Sequence, residues 1–251
     1  MPALPVSLTR LAGSLLDLVF PPRCAGCRRP GTYLCADCRR AVHRQSGPIC
    51  PACGRATRVP ELCAPCRETP LPLDGIRSAV EFSGPVRRAV HALKYRGRRE
   101  LAPVLAELML AAWRDAPLPA ELVVPVPLHA GRLAARGYNQ AALLAEAFAR
   151  GAGLPYEAAA LARTRATPAQ VELGARERRR NVADAFSAVA AHVGRRRVLL
   201  IDDVCTTGAT LGACGAALRA AGCPGAWAFT LARAHWDPEL DVADDRPEDT
   251  G

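Results

Sequence analysis

The sequence predicts an α/β fold, in which a parallel-rich sheet carries helices on both faces and follows a small cysteine-rich module. Between residues 76 and 236, short apolar stretches typical of strands alternate with longer helical patterns, as they do in parallel sheets. Residues 21–67 instead contain four CxxC pairs and too few apolar residues for a core of their own. A chain of 251 residues accommodates one medium-sized domain and one small one.

The charge of the chain is unevenly distributed. The formal net charge is +9, but residues 237–251 hold seven acids and one arginine. Residues 1–236 therefore carry 32 basic against 17 acidic side chains, a net charge of +15. Such an excess favours anionic partners, namely phosphates, nucleotides or nucleic acid. A GC-rich coding sequence is the alternative explanation, since arginines outnumber lysines 32 to 1.

The two ends of the chain differ from the rest in composition. Residues 1–20 are predicted to form an amphipathic helix that contains Asp17, with a signal peptide as the less favoured alternative. Residues 237–251 are predicted to be an acidic disordered tail. No apolar run approaches the roughly 20 residues that a membrane span requires, and we expect a cytoplasmic protein.

Eight cysteines dominate residues 21–67. A CxxC pair places two thiolates on one tight turn, and two such turns supply the four ligands of a tetrahedral zinc ion. We therefore predict two structural zinc ions, whose binding provides the folding energy of this segment. Pairing in sequence order is simplest, although the spacing also allows a crossed pairing, and a disulfide framework is the alternative. The ligands in sequence order are Cys24, Cys27, Cys35 and Cys38 for one ion and Cys50, Cys53, Cys63 and Cys66 for the other.

The predicted α/β domain begins after a proline-containing linker, Arg67–Gly75. A first strand at Ile76–Phe82 leads to a helix with Pro85 in its first turn, and a longer helix spans Glu100–Trp113. The stretch Leu122–Leu128 is apolar and extended. Because proline cannot donate a hydrogen bond within a sheet, its two prolines limit the predicted strand to its first residues.

An arginine-bearing loop is predicted after this strand, and it leads into a helix that ends near Arg150. Its glycines and the guanidinium groups of Arg132 and Arg136 suit a pyrophosphate, because an arginine fork matches phosphate oxygens. A short strand is predicted at 159–163. Residues 164–186 are predicted to be a mobile loop with a short helix, with a plain surface loop as the alternative.

The stretch RVLLIDDVCTTGAT, residues 197–210, carries the most specific signal in the domain. Its apolar run Val198–Ile201 predicts a strand buried on both faces, with Asp202 and Asp203 at its exposed end. A short loop of threonines and Gly208 then leads into an alanine-rich helix. The free N–H groups and the dipole of a helix N-terminus make this a natural phosphate site. A last strand is predicted at 226–233.

The segment DDVCTTGAT resembles the phosphoribosyl pyrophosphate (PRPP) loop of type I phosphoribosyltransferases. The resemblance implies that Asp202 and Asp203 bind the ribose hydroxyls and that the threonine-rich turn binds the 5′-phosphate of PRPP, with Mg²⁺ as its counter-ion. It further implies catalytic roles for both acids and for Arg132 and Arg136. The PRPP-binding residues implied in this way are Asp202, Asp203, Val204, Cys205, Thr206, Thr207, Gly208, Ala209 and Thr210.

Nearly the whole chain resembles the ComF family of competence-associated proteins, through the four CxxC pairs and the blocks VPVPLHAGRLAARGYNQ, RTRATPAQVELGARERRRNV and DDVCTTGAT. This resemblance implies a double zinc ribbon at 21–67 and a type I phosphoribosyltransferase fold at 76–236. It implies PRPP, single-stranded DNA and a competence helicase as partners, and a role in natural transformation. The alternative is an active phosphoribosyltransferase of nucleotide metabolism or salvage with no role in DNA handling. Residues expected to contact pyrophosphate or DNA are Lys94, Arg132, Arg136, Asn139, Gln140, Arg163 and Arg178.

Overall fold

A computed structural model describes residues 21–165 and 184–234. The predicted N-terminal helix, the acidic tail and Arg178 lie outside the described residues. Four parallel strands form the main sheet in the order β1-β6-β5-β2, and an antiparallel pair, β3-β4, forms a second small sheet. The strands are β1 (Gly75–Glu81), β2 (Leu122–Pro125), β3 (Leu161–Arg163), β4 (Phe186–Ala188), β5 (Val198–Cys205) and β6 (Ala226–Arg233).

Helices cover both faces of the main sheet, which confirms the predicted α/β architecture. They are α1 (Ala36–Arg40), α2 (Ala64–Glu68), α3 (Gly84–Tyr95), α4 (Leu101–Asp115), α5 (Ala130–Arg136), α6 (Gln140–Ala152), α7 (Ala190–Val193) and α8 (Ala209–Ala220).

The apolar run of β5 is divided between the two faces of the sheet. Leu199 and Ile201 pack in one core with α3, α4 and α6, whereas Val198 and Leu200 pack in a second core with α8 and the β3-β4 sheet. All four side chains are fully buried. The apolar run at the start of β5 is therefore covered by side chains on both faces of the sheet, as is typical of strands in parallel sheets.

Strand β5 is longer than the sequence predicts. It continues through both acids to Cys205, because its pairing with β6 continues as far as Cys205 opposite Arg233. The prediction of two acids at an exposed strand end is therefore wrong for Asp203, which is a buried residue.

One further predicted segment differs from the structure. The loop predicted around Arg132 is a short helix, α5, whose N-cap residue His129 accepts a hydrogen bond from Gly131 N–H at 3.2 Å. Most of the segment predicted as loop and short helix at 164–186 lies outside the described residues, and its last residue, Phe186, begins β4, which pairs antiparallel with β3. A three-residue strand gives too short a pattern to recognise without its partner.

The predicted linker and the cysteine-rich module pack directly on the α/β domain. Leu73 is buried in the core beside α8, and the N–H of Ile76 donates to the carbonyl oxygen of Ala52 at 2.9 Å. Glu81 N–H likewise donates to the carbonyl oxygen of His43 at 2.8 Å. Residues 69–74 are therefore a packed connection and do not act as a flexible spacer.

Candidate functional site

The eight cysteines of the N-terminal module form two clusters, grouped in sequence order. Within each cluster the four Sγ atoms lie within 4.8 Å of one another. The crossed pairing that the spacing allowed is therefore not the arrangement in the structure. One cluster contains Cys24, Cys27, Cys35 and Cys38, and the other contains Cys50, Cys53, Cys63 and Cys66.

The donor geometry of both clusters fits zinc. The Sγ atoms of Cys27 and Cys35 are 3.6 Å apart, as are those of Cys53 and Cys63. A disulfide would bring two sulfur atoms to about 2.05 Å. Four sulfurs about 2.3 Å from a tetrahedral zinc ion lie about 3.8 Å apart. Both clusters therefore support structural zinc and not a disulfide framework.

Backbone N–H groups stabilise the thiolate form in both clusters. The N–H of Cys35 donates to Cys24 Sγ at 3.3 Å, and the N–H of Cys63 donates to Cys50 Sγ at 3.4 Å. Burial by itself would raise the pKa of Cys24 and Cys50, but these and neighbouring N–H groups hold both pKa values below the usual thiol range. Such outer contacts orient metal ligands and are part of a metal site.

We expect metal analysis of the reduced protein to find two zinc ions per chain and to find one in the Cys35→Ser variant. The reason is that each cluster supplies a complete set of four thiolate ligands. Cys214→Ala removes a buried thiol outside both clusters and should retain two ions. Recovery of metal-free protein with its eight N-terminal cysteines in disulfides would contradict both assignments.

A pocket of about 200 Å³ lies at the carboxyl end of β5. Its volume is below the range of roughly 300–1,000 Å³ that is typical of pockets for drug-sized ligands, so it can enclose only part of a larger ligand, such as one phosphate group and the atoms next to it. The lining combines one acidic residue, three threonines and the first turn of α8. The residues that line it are Asp202, Val204, Cys205, Thr206, Thr207, Gly208, Ala209, Thr210 and Leu211.

The first turn of α8 is arranged as an anion site. The N–H groups of a first helical turn have no partner within the helix, and the helix dipole gives them partial positive charge. Thr207 Oγ1 accepts the N–H of Ala209 at 3.3 Å, while Thr206 is exposed. The loop from Thr206 to Thr210, called the phosphate loop below, therefore offers backbone and hydroxyl donors to an anion.

Gly208 is required here by its conformation and its packing. It caps α8 with φ of 79°, in the left-handed region that favours glycine. A Cβ atom at this position would lie 2.9 Å from Ile76 Cδ1. A bulky substitution at this position would therefore distort the loop itself.

The two adjacent acids occupy different environments. Asp203 does not line the pocket: its Oδ1 accepts the N–H of Val204 at 2.7 Å, and its Oδ2 lies 3.0 Å from Lys94 Nζ. Burial by itself would lower the pKa of Lys94, but the charges of Asp203 and Asp202 raise it above the ordinary value, so Lys94 remains cationic. Lys94, expected from the sequence to contact pyrophosphate or DNA, forms an ion pair with Asp203.

Asp202 is the acid that faces the pocket. Its Oδ1 accepts the N–H of Asp203 at 2.8 Å, and its side chain is partly exposed. Burial, and then the negative charge of Asp203, raise the pKa of Asp202 above its ordinary range, while Lys94 opposes the shift. A carboxyl group with a raised pKa beside an anion-binding loop is a common feature of functional sites.

Comparisons with known proteins agree with these features. Residues 15–67 match the family model of the double zinc ribbon domain. DNA utilization protein YhgH of Salmonella typhi is 37% identical over 204 residues, which cover 77% of this chain and 89% of that protein. Competence protein F of Haemophilus influenzae is 32% identical over 228 residues, which cover 86% of this chain and 98% of that protein. The chain belongs to the ComF family.

Solved structures give a weaker comparison for this ComF-family chain. The glutamine PRPP amidotransferase from B. subtilis, complexed with ADP and GMP, aligns with a TM-score of 0.36 and 25% identity. The aligned part covers 53% of the ComF-family chain and 26% of the amidotransferase. In the described part of the chain, no helix has the length and apolar character needed to cross a membrane.

The basic residues predicted for this ComF-family site lie on different elements. Arg132 is exposed on α5, while Arg163 ends β3 with its Cζ 5.3 Å from the centre of the Phe186 ring. Burial, and then the charge of Arg132, lower the pKa of Arg163, whereas Asp202 acts in the opposite direction. The electrostatic influence of Arg132 and Asp202 on Arg163 indicates that both groups lie in its neighbourhood.

Three other predicted contacts have structural partners. Arg136 donates to Gln140 Oε1, and its Cζ lies 5.4 Å from the centre of the Tyr95 ring. Asn139 caps α6, since its Oδ1 accepts Ala141 N–H at 3.0 Å and its Nδ2 donates to the carbonyl oxygen of Val126 at 2.9 Å. Gln140 is 5% exposed and Asn139 is half-buried. Among the predicted cations that the structure describes, Arg132 is therefore the most accessible to a ligand.

Sequence reasoning missed Arg233, which lies beneath the loop. It ends β6, is 7% exposed, and donates to Cys205 Sγ at 2.9 Å. The available signal was a charged residue at the end of the otherwise apolar strand AWAFTLAR. Its partners are distant in sequence, so the pattern alone does not show what it contacts.

Proposed function

We propose that the pocket at the end of β5 binds PRPP, as its Mg²⁺ complex, and that the protein supports the handling of single-stranded DNA in natural transformation. The observation that carries the first part is the lining of the pocket, in which Asp202 and the first turn of α8 face the same space. A phosphate and a polyol joined in one molecule match a helix N-terminus next to a carboxylate.

In this proposal each group has a defined partner on PRPP. The N–H groups and hydroxyls of the phosphate loop bind the 5′-phosphate. Asp202 accepts hydrogen bonds from the ribose hydroxyls, and Asp203 acts through its ion pair with Lys94, which fixes the backbone at the end of β5. Arg132 binds the pyrophosphate, whose charge Mg²⁺ partly neutralises. The alternative of an active transferase uses the same contacts and adds an acceptor.

Calorimetric titration with PRPP and Mg²⁺ tests the binding step. Ribose 5-phosphate should bind more weakly than PRPP, since it lacks the pyrophosphate that Arg132 contacts. Inorganic pyrophosphate should also bind more weakly, since it lacks the 5′-phosphate that the phosphate loop contacts. Pyrophosphate release from PRPP, measured with candidate bases and with water as the control, distinguishes a binding module from a transferase. Failure of PRPP to bind under these conditions would refute the proposal.

Support for the DNA role comes from the relatives and from the distribution of charge. The curated relatives are named for DNA utilization and for competence. Four arginines of the ribbons already pair with acids, namely Arg29, Arg39, Arg40 and Arg44. In contrast, Arg96 and Arg132 are exposed, and neither forms an ion pair within the described residues. Such exposed arginines are better placed to contact DNA phosphates than arginines that are already paired.

We expect the affinity for a single-stranded oligonucleotide to fall steeply with salt, because each phosphate contact releases counter-ions and contributes a slope of about −0.7. The double variant Arg96→Gln/Arg132→Gln should flatten the slope by about 1.4 in fluorescence anisotropy titrations. Arg29→Gln/Arg40→Gln changes the charge equally but removes paired arginines, and should leave the slope near that of the parent.

A salt-independent affinity, or an equal loss of slope in both double variants, would contradict this assignment of the DNA surface. Deleting residues 1–67 would be a poor test of this assignment. The carbonyl groups of Ala52 and His43 accept backbone hydrogen bonds from Ile76 and Glu81 at the start and end of β1, so the deletion would expose the edge of the sheet.

A further inference from the structure

The second ribbon, defined as residues 50–66 with its four cysteines, lies directly against the strand ends beneath the phosphate loop. We propose that Arg233 is a positioning residue through which this ribbon holds the loop in its anion-binding shape. The zinc site formed by Cys50, Cys53, Cys63 and Cys66 would then control the loop, whereas the first zinc site would not. The consequence for PRPP rests on the function proposed above, but the coupling between ribbon and loop does not.

Arg233 connects the two parts through a single nitrogen. Its Nη1 donates to the carbonyl oxygen of Cys53 at 2.5 Å and to Cys205 Sγ at 2.9 Å. Cys53 is a ligand residue of the second cluster, and Cys205 is the last residue of β5, directly before the loop. Ala234 N–H also donates to the carbonyl oxygen of Cys205 at 3.0 Å, which fixes the backbone there.

The buried positive charge of Arg233 makes its hydrogen bonds to Cys53 and Cys205 important. Arg233 is 7% exposed, and the described residues place no acidic side chain within 4.0 Å of its guanidinium. A buried cation is tolerated only where hydrogen-bond acceptors replace its lost hydration. The carbonyl group of Cys53 is one of these acceptors, and the fold of the ribbon sets its position. Disordering the ribbon would therefore leave a poorly solvated cation immediately beneath Cys205.

An apolar contact joins the same two parts independently. The Leu71 side chain packs both on the Cys50, Cys53 and Cys66 cluster and on the core that includes α8. Its Cδ1 lies 3.6 Å from the position of a Cβ on Gly208, and its Cδ2 lies 3.1 Å from the corresponding position on Gly212. The loop and the first turns of α8 therefore rest partly on a side chain that the second ribbon holds in place.

The first ribbon has different contacts and provides a matched control. Its cysteine cluster packs with Leu34 against Val104 and Leu108 of α4, and Arg39 pairs with Glu107 of the same helix at 2.7 Å. Within the described residues, no hydrogen bond joins the first ribbon to the phosphate loop. Each ribbon can lose one zinc ion, so the two losses are equal in metal content. Only the loss from the second ribbon would disturb the contacts beneath the phosphate loop.

Amide hydrogen exchange of the full-length, zinc-loaded protein measures the coupling without any ligand. The matched variants are Cys63→Ser in the second cluster and Cys27→Ser in the first, with the zinc content of each determined by metal analysis. Arg233→Met removes the connecting hydrogen bonds while both clusters remain intact, and Arg233→Lys restores the charge and one donor. Peptides from α6 report whether the domain as a whole remains folded.

We expect exchange in residues 203–211 to rise about tenfold or more in Cys63→Ser and in Arg233→Met, because a hydrogen bond from a charged donor is typically worth about a factor of ten or more. Cys27→Ser should leave this segment unchanged, and Arg233→Lys should recover part of the protection. Affinity for PRPP should weaken in the same order.

An unchanged loop in Arg233→Met, or an equal rise in Cys27→Ser, would overturn the proposal. If Cys63→Ser unfolds the α6 peptides as well, the two Arg233 variants decide the question by themselves. If the parent protein does not bind PRPP, the proposed ligand is wrong, while the exchange results still decide whether the second ribbon controls the loop.

Discussion

Replacing Lys94 with methionine should destabilise the protein by about 2–4 kcal/mol, because it leaves the Asp203 carboxylate buried without its cation. The Asp203 side chain is 4% exposed and that of Lys94 is 21% exposed, so water replaces little of the lost interaction. Methionine keeps most of the volume of the lysine stem, so loss of packing contributes little. Urea denaturation measures the change in the free energy of unfolding.

A double-mutant cycle separates the ion pair from other effects of the substitution. Asp203→Asn keeps an oxygen that accepts the N–H of Val204 but removes the charge. The variant Lys94→Met/Asp203→Asn should therefore be more stable than Lys94→Met alone, because no buried charge is left without a partner. If the losses in unfolding free energy of the two single variants add up to the loss in the double variant, the two side chains do not interact.

The metal sites could be predicted from the sequence because their signal is local. A CxxC pair specifies its own turn, and the sequence-order grouping of Cys24 with Cys38 and of Cys50 with Cys66 agrees with the structure. The phosphate loop was recognisable for the same reason, since its strand, its glycine and its helix follow one another without interruption. Local patterns of this kind need no knowledge of distant segments.

The roles of the acids could not be predicted in this way. Asp203 is buried because Lys94, from the end of α3, reaches it across more than a hundred residues of sequence. No pattern near position 203 indicates that partner. An acid that follows an apolar run is normally exposed, and the pairing of β5 with β6 is what carries the strand past it. The site therefore consists of one partly exposed acid that lines the pocket and one buried acid that is paired with Lys94.

The packing of the ribbons on the α/β domain could not be predicted from the sequence either. Prolines and charged residues in 67–75 indicated a linker, but Leu71 and Leu73 pack beside α8, where two glycines leave room for them. An added Cβ on Gly215 would lie 2.6 Å from Leu73 Cδ2. Glycines inside a helix are unfavourable unless another segment approaches closely, and only the structure shows which segment does so.

The Asp202→Asn variant should bind PRPP about 10- to 100-fold more weakly than the parent, since a hydrogen bond to a charged acceptor is worth about 1.5–3 kcal/mol. Asparagine matches the shape of the aspartate and keeps one acceptor oxygen, so the fold should be retained. Asp203 is left unchanged, because replacing it would also break the ion pair with Lys94. Calorimetric titration with PRPP and Mg²⁺ measures the loss.

The difference between parent and variant should also depend on pH. Burial and Asp203 raise the pKa of Asp202, so the side chain gains its charge only as the pH rises through that elevated value. Only the ionised carboxylate is a charged acceptor for the ribose hydroxyls, so the parent should gain affinity over Asp202→Asn as the solution becomes more alkaline. The phosphates of PRPP titrate identically in both titrations and cancel in the ratio of the two affinities.

A remote acid provides the control for this last experiment. Glu121 precedes β2 and pairs with Arg197 before β5, at the amino ends of the strands and so at the opposite end of β5 from the pocket. Glu121→Gln makes the same change in net charge and should leave PRPP affinity at the parental value. Equal effects of the two substitutions would indicate a general charge effect. Parental affinity in Asp202→Asn at every pH would show that this carboxylate does not hold the ribose, and the proposed binding mode would have to be abandoned.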